Sequence, residues 1–409
     1  MSDFKEKKLF KYRNLTPLWI SVFIDIIGFS LILPLAVFLA EDYKTSIFMI
    51  GLVLSINAMF SFIFGPILGK LSDKYGRRPL LLISQFGTFI GFIVLAFSNS
   101  LELLIISRII DGIFGGNFPI AKAIVSDVVP PKDRGIQMAN IGIAHVLASL
   151  IGPGLGGLFY FIGGGIFLPG IFAAGLSVFT MIITILMLKE SWPRERRVES
   201  HKFSIENNEK IHKNKNALFL LTLFGFHSVS FMIMMASISF FSRIVLKLEL
   251  LEISLIMMVS GIIRTTIRFT LFKPTLRKLG ESNAIRLGLT IFLVCFFFIG
   301  FSPNVMMFFI LLMIISFAAS LTRGPLNSMI SQTVSPRIQG KINGYGSSLD
   351  SFAQIVGPLI STFIIQFFMP YWLGIVIAAI AFPPFIMAFQ KIGAKKYKIP
   401  LSEEESVKG

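Results

Sequence analysis

The sequence predicts an all-α membrane protein of twelve transmembrane helices in two pseudo-symmetric six-helix bundles. Hydrophobic residues make up 54% of the 409 residues and charged residues only 15%, whereas soluble domains average roughly 25% charged residues. Twelve apolar runs are each about as long as a helix needs to cross a bilayer core, and none shows the alternation of a β-strand. The two halves of the chain also align with each other at an offset of 205 positions.

The apolar runs follow one another with short polar connections, as expected for a bundle of antiparallel helices. The first run is too long for the core of a signal peptide and lacks a small-residue cleavage site, so we expect it to be retained as a span. The approximate limits are 15–40, 46–69, 79–98, 101–124, 137–160, 166–188, 217–241, 251–272, 284–301, 304–326, 342–367 and 371–391.

A long polar stretch divides the spans six and six. Residues 189–216 are predicted to link an N-terminal bundle, residues 1–188, to a C-terminal bundle with its tail, residues 217–409. The offset of 205 positions pairs Gly152 and Pro153 with Gly357 and Pro358, and it pairs other Gly, Pro and Ser positions as well. Two matched halves that hold a substrate between them are typical of secondary transporters, in which one bundle rocks against the other.

The excess of basic residues carries topological information. The formal net charge is +16, and most Lys and Arg residues fall in alternate loops and in the two termini. The opposite loops hold only Lys44, Arg243 and Lys247. The positive-inside rule therefore predicts a multi-pass protein of the cell membrane with both termini in the cytoplasm, rather than a nucleic-acid-binding surface.

One basic loop carries a family signature. The segment Gly69–Arg78 reads GKLSDKYGRR, and it resembles the G-x-L-x-D-x-x-G-R-R motif of the major facilitator superfamily. From the residues, Gly69 is expected to allow two helices to approach closely, and Gly76 to permit a turn. The resemblance implies a cytoplasmic latch in which Asp73 faces the start of span eleven and Arg77 pairs with an acid at the end of span four. The predicted latch residues are Gly69, Asp73, Gly76, Arg77, Arg78, Asp127 and Arg134.

Span five carries a second motif of the same family. Its segment Gly152–Gly157 reads GPGLGG, and it is similar to the G-P-x-x-G-G motif of the drug:proton antiporters. Proline removes a hydrogen bond inside the helix, while glycines create a smooth face for a neighbouring helix. We therefore expect Gly152, Pro153, Gly156 and Gly157 to shape a gate.

Charged side chains within the spans point to proton coupling. Arg108–Gly116 resembles the superfamily's R-x-x-x-G-x-x-x-G pattern, which implies proton transfer, and Asp25 sits where drug antiporters have an acid in span one. Arg108 and Asp111 are three residues apart, so they share a helix face and can pair. A charge at the centre of a span costs roughly 2.5–3.5 kcal/mol, so such residues usually face a cavity or a partner. The predicted proton-coupling residues are Asp25, Arg108, Asp111 and Asp350.

A substrate cavity is predicted in the second half. Arg264 and Arg268 are four residues apart, so they point to one side of span eight, where they can grip an anionic group or hold Asp350. Arg323 lies near a helix end and is expected to snorkel to the membrane surface. Met and Phe mixed with Ser in span seven suit an adaptable apolar cavity. The predicted cavity residues are Arg264, Arg268, His227, Phe231 and Met235.

The sequence therefore favours a proton-coupled exporter of small apolar or amphipathic compounds that works by alternating access. No cofactor, metal or enzymatic activity is expected, because phosphate-binding loops, clusters of metal ligands and catalytic triads are absent from the sequence. The expected partners are a small-molecule substrate, protons and the lipid bilayer, and the expected oligomeric state is a monomer. A symporter or facilitator for a metabolite such as an organic anion is the first alternative. A membrane sensor or scaffold that transports nothing is the second.

Overall fold

The computed structural model describes residues 15–193, 214–334 and 339–391, and every regular element in these ranges is an α-helix. The helices are α1 Thr16–Ser30, α2 Ala36–Asp42, α3 Ile47–Tyr75, α4 Arg77–Ala96, α5 Leu101–Ile113, α6 Asn117–Val128, α7 Pro131–Gly163, α8 Phe167–Met187, α9 Lys215–Ile244, α10 Leu250–Thr270, α11 Phe272–Ile299, α12 Val305–Gln332, α13 Gln339–Phe367 and α14 Tyr371–Lys391.

The predicted membrane spans are confirmed. Within the described ranges, 10 segments are long and apolar enough to cross a bilayer, and two shorter apolar helices cover Thr16–Gly28 and Leu147–Gly163. Each of these segments overlaps one of the predicted apolar runs. Side chains cap several helix starts: Ser46 accepts a hydrogen bond from the Met49 amide at 3.1 Å, and Asn304 accepts one from the Met307 amide at 2.9 Å. These caps satisfy amides that have no partner inside the helix.

Two spans are broken near their middle. Span one consists of α1 and α2, separated at residues 31–35, where Pro34 has no amide hydrogen to offer a regular helix. Span four consists of α5 and α6, separated at residues 114–116. At this second break Ser84 donates to the Phe114 carbonyl oxygen and accepts from the Gly116 amide. Ser84 therefore satisfies backbone groups that the broken helix leaves free, as a membrane interior requires.

The chain forms two compact units. Unit 1 comprises Met1–Glu206 and Ile238–Thr265, and unit 2 comprises Asn207–Ser237 and Thr266–Gly409. Each unit has its own apolar core. In unit 1 it includes Leu18, Ile120 and Val125, and in unit 2 Phe224, Leu289 and Leu326. The domain boundaries at residues 188 and 216 stay a prediction.

Candidate functional site

A polar site lies inside the apolar helices of unit 1. Arg108, only 2% exposed, pairs with Asp111 at 3.4 Å (Nη1 to Oδ2), as their spacing predicted. Asn57 on α3 donates from Nδ2 to the same Asp111 oxygen at 2.9 Å. The Arg108 guanidinium also lies over the ring of Phe92, with 5.7 Å between Cζ and the ring centroid. Asp111 is therefore a carboxylate with two donors, as a buried charge requires.

Asp25 on α1 is held differently. Both of its carboxylate oxygens are buried, and neither has a hydrogen-bond partner. Among the residues that the structure describes, no other Asp or Glu has both oxygens in this condition. Asp111 lies close enough to repel a negative charge on Asp25. An ionised carboxylate without a partner is costly in such surroundings. The role of Asp25 in proton coupling stays a prediction.

Unit 2 contains a further intramembrane carboxylate, Asp350 on α13. Its Oδ2 pairs with Arg323 Nη2 at 2.6 Å, and its Oδ1 accepts from the Ser228 hydroxyl at 2.8 Å. Arg323 therefore has an ion-pair partner that the sequence analysis did not give it, and its snorkelling to the membrane surface stays a prediction. Arg323 and Asp350 each lie about three helical turns from the connection between α12 and α13, so they meet at the same depth. Asp350, which was also predicted to couple protons, forms an ion pair with Arg323.

The predicted cavity residues are only partly described. His227, 3% exposed, lies against the rings of Phe231 and Phe292, with centroid distances of 6.3 and 4.9 Å. Phe231 and Met235 follow it at intervals of four residues, so the three share one face of α9. Arg264 is half-buried on α10. The Arg268 side chain lies outside the described part of the chain. The role of these residues as a substrate cavity stays a prediction.

The signature loop forms an ion cluster, as its resemblance implied. Gly76 joins α3 to α4 with φ 109°, a backbone conformation that side chains other than glycine rarely adopt. Arg77 Nε lies 2.9 Å from Asp127 Oδ2, and both side chains are less than 10% exposed. Arg77 Nη1 also contacts Asp73 Oδ1 at 2.6 Å, although the Asp73 side chain is 58% exposed. We call Asp73, Arg77 and Asp127 the loop cluster. Its role as a latch stays a prediction.

Residues after α8 complete the loop cluster, and sequence reasoning missed them. The Glu190 carboxylate accepts from the backbone amides of Arg77 and Arg78, at 3.0 and 3.2 Å. It thereby caps the first turn of α4, where a negative charge is favoured. Ser191 donates to Asp127 Oδ2 at 3.1 Å, and the Trp192 ring lies 5.6 Å from the Arg77 guanidinium. No local motif signals these contacts, because they join residues more than 60 positions apart.

Two other latch predictions need comment. A Cβ atom at Gly69 would meet no described atom within 4 Å. No described atom therefore accounts for the close helix approach predicted at Gly69, which stays a prediction. Arg78 donates from Nη2 to the Ile185 carbonyl oxygen at 2.5 Å, which ties α4 to α8. The Arg134 side chain falls outside what the structure describes, and the start of span eleven belongs to unit 2 whereas Asp73 belongs to unit 1. The contacts predicted for Arg134 and for Asp73 therefore stay predictions.

The glycine motif in α7 meets two neighbours in unit 1. Cβ atoms built at Gly152 and Gly156 would lie 1.9 Å from Ser30 Oγ and 2.0 Å from the Leu31 carbonyl oxygen, where α1 ends. Cβ atoms at Gly154 and Gly157 would lie 2.6 Å from Met258 and 1.9 Å from Ser254, both on α10. Pro153 lies inside the helix, between these positions. The predicted smooth face is therefore present, and it is formed on two sides of α7 at once.

We expect Gly157→Ala to weaken this packing. Overpacking a tight contact typically costs about 1–3 kcal/mol, because the new methyl group must displace Ser254. The expected result is a lower midpoint of thermal unfolding for the purified protein. Combining it with Ser254→Gly should recover part of the loss, since that change vacates the space.

The matched control is Gly175→Ala on α8. No described atom lies within 4 Å of a Cβ at this position. Alanine is favoured over glycine inside a helix by roughly 0.5–1 kcal/mol, so the unfolding midpoint should stay or rise. An equal loss in both variants would contradict the packing role of Gly157.

Comparison with known proteins gives a consistent result. The family model described as Major Facilitator Superfamily matches residues 18–272 and 270–407. The chain is 28% identical over 361 residues to the tetracycline resistance protein, class H, of Pasteurella multocida, covering 86% of this chain and 89% of that protein. It is 26% identical to the multidrug resistance protein MdtG of Proteus mirabilis, strain HI4320, covering 86% and 89%.

A solved structure shows the same fold. The crystal structure of the human organic anion transporter MFSD10 (TETRAN) matches 92% of this chain and 99% of that one, with a TM-score of 0.71 and 22% identity. Together, the family match, the curated relatives and the fold confirm that the protein is a multi-pass membrane transporter and not an enzyme. The chain belongs to the major facilitator superfamily.

Proposed function

We propose that the protein exports small apolar or amphipathic compounds in exchange for protons by alternating access. The observation that carries this proposal is the unpaired, buried carboxylate of Asp25. Its neighbours Arg108 and Asp111 already neutralise each other, so a proton is the charge that Asp25 needs. Taking up that proton on one side of the membrane and releasing it on the other would couple transport to the proton gradient.

Two further observations support the direction and the substrate class. Curated relatives carry names that refer to tetracycline resistance and multidrug resistance, which fits export of amphipathic compounds. The basic loops and both termini are placed in the cytoplasm by the positive-inside rule. We accordingly place the protein in the plasma membrane as a monomer, with the loop cluster on the cytoplasmic side and α7 shaping the gate.

The test uses the purified protein in liposomes with an amphipathic fluorescent dye. When the lumen is acidic, protons leaving the liposome should drive the dye inwards, and a protonophore should abolish this accumulation. Reversing the pH gradient should deplete the dye. Accumulation only when the outside is acidic would instead show symport. Equilibration that ignores the gradient would show facilitation, and no movement of any dye would show a sensor or scaffold.

An anionic dye and a neutral dye of similar size separate the substrate classes. Export of the neutral dye alone supports the proposed substrate class. Movement of the anionic dye alone would favour the organic-anion alternative, and it would direct attention to Arg264 and Arg268.

A further inference from the structure

The break in span four places a polar side chain beside the proposed proton site. Asn117 is the first residue of α6, which begins inside the span directly after Gly116. The helix α1, which carries Asp25, packs against α6. The Asn117 side chain is 9% exposed and lies within hydrogen-bonding reach of the Asp25 carboxyl group. A continuous helix would have no free first turn at this depth, and Asn117 lies in the first turn that the break creates.

The buried oxygen atoms of Asn117 and Asp25 lack hydrogen-bond donors. Asn117 Oδ1 is buried without a partner, as are both oxygens of Asp25. Asn117 Oδ1 and an ionised Asp25 oxygen both only accept hydrogen bonds, so this end of the amide cannot satisfy the carboxylate, whereas its Nδ2 end can donate to it. Leaving a buried acceptor unpaired costs the full desolvation penalty of that group. One added proton resolves this conflict, because protonated Asp25 can donate its O–H to Asn117 Oδ1.

We propose that Asn117 is the positioning residue of the proton site and that its side-chain amide serves both protonation states of Asp25. In the protonated state Asn117 Oδ1 accepts from the carboxylic acid. In the ionised state the amide turns over and Nδ2 donates to the carboxylate. The part that this proton plays in transport rests on the proposed function.

The proton balance of the step is simple. Asp25 binds one proton from water on one side of the membrane, which forms one O–H bond. On release that bond breaks, and the proton returns to water on the other side. Among described side chains, the charged group that faces Asp25 is Asp111, which Arg108 neutralises and to which Asn57 donates a hydrogen bond. Asn117 is thus the uncharged partner whose amide can turn over when Asp25 gains or loses its proton.

Infrared spectroscopy of the purified protein in lipid tests the proposal without measuring transport. The difference between wild type and Asp25→Asn should contain the C=O band of a protonated carboxylic acid. In Asn117→Ala this band should move to higher frequency, because the hydrogen bond that weakens the C=O bond is lost. Asn117→Ser keeps a hydroxyl group and should move the band less. If Asn117→Ala does not fold, Asn117→Val removes the same amide while filling more of its volume.

Gln85→Leu is the control. It removes another buried amide of unit 1, whose Nε2 bonds Ser21 and Thr184 and not Asp25, so the Asp25 band should not move. Absence of an Asp25 acid band, or the same band in wild type and Asn117→Ala, would overturn the proposal. A shifted band together with gradient-independent dye movement would support the Asn117 pairing and overturn proton-driven export.

Discussion

Asp25→Asn is expected to abolish dye accumulation driven by a pH gradient, while dye exchange across the membrane persists. Asparagine has nearly the shape of aspartic acid but cannot bind or release a proton near neutral pH. The variant therefore resembles a permanently protonated site, which can still carry substrate in both directions. The measurements are gradient-driven accumulation and counterflow of labelled substrate in the same liposomes, and counterflow in the variant should no longer depend on pH.

Glu102→Gln provides the control for this prediction. Glu102 is an exposed carboxylate in the first turn of α5, outside the polar site. Its replacement removes the same charge and should leave gradient-driven accumulation at the wild-type level. If Asp25→Asn retains accumulation comparable to Glu102→Gln, then Asp25 does not carry the coupling proton and another group must do so.

The fold was predictable because the bilayer restricts the choices. A chain with so few charges and with apolar runs of membrane-spanning length has few alternatives to a helical bundle, since lipid leaves every backbone group to be satisfied internally. The breaks in spans one and four were not predicted. Pro34 and the glycines before Asn117 were visible in the sequence, but the surroundings that satisfy the broken backbone, such as Ser84, come from other helices.

Contacts within one helix were predictable, and contacts between helices mostly were not. Arg108 and Asp111 pair because three residues separate them on one helix. Arg77 and Asp127 were paired only through the family resemblance. Asn117 was missed because nothing local shows that its helix begins beside Asp25. The one available signal was a polar residue directly after two glycines within an apolar span.

The contrasting surroundings of Asp25 and Asp350 also arise from tertiary contacts. From sequence alone, Asp25 and Asp350 were both candidates for proton coupling. Asp350 meets Arg323 and Ser228, whereas Asp25 meets no donor that completes a hydrogen bond. Asp350 has an ion-pair partner and Asp25 has none, so the two acids suit different tasks. We therefore assign the proton step to Asp25 and expect Asp350 to organise unit 2.

Arg77→Leu is expected to cause the largest loss of stability among single changes in the loop cluster. It would leave the Asp127 carboxylate, whose side chain is 9% exposed, without its ionic partner. Removing one member of a buried ion pair typically costs about 3–5 kcal/mol, mostly because the other charge remains buried. The expected results are a strongly lowered midpoint of thermal unfolding and a reduced yield of folded protein from the membrane.

The double variant Arg77→Leu with Asp127→Leu separates the effect of the uncompensated Asp127 charge from the loss of other contacts of Arg77. If the uncompensated charge dominates, the double variant should be more stable than Arg77→Leu, because replacing a whole buried pair by apolar residues is often nearly neutral. Asp73→Asn removes only the exposed partner of Arg77, so it should cost at most about 1 kcal/mol. A double variant no more stable than the single one would show that the contacts of the Arg77 side chain with Trp192 and Ser72 matter more than its pairing with Asp127. The stability of the loop cluster would then come from the packing of the Arg77 side chain rather than from the neutralisation of its charge.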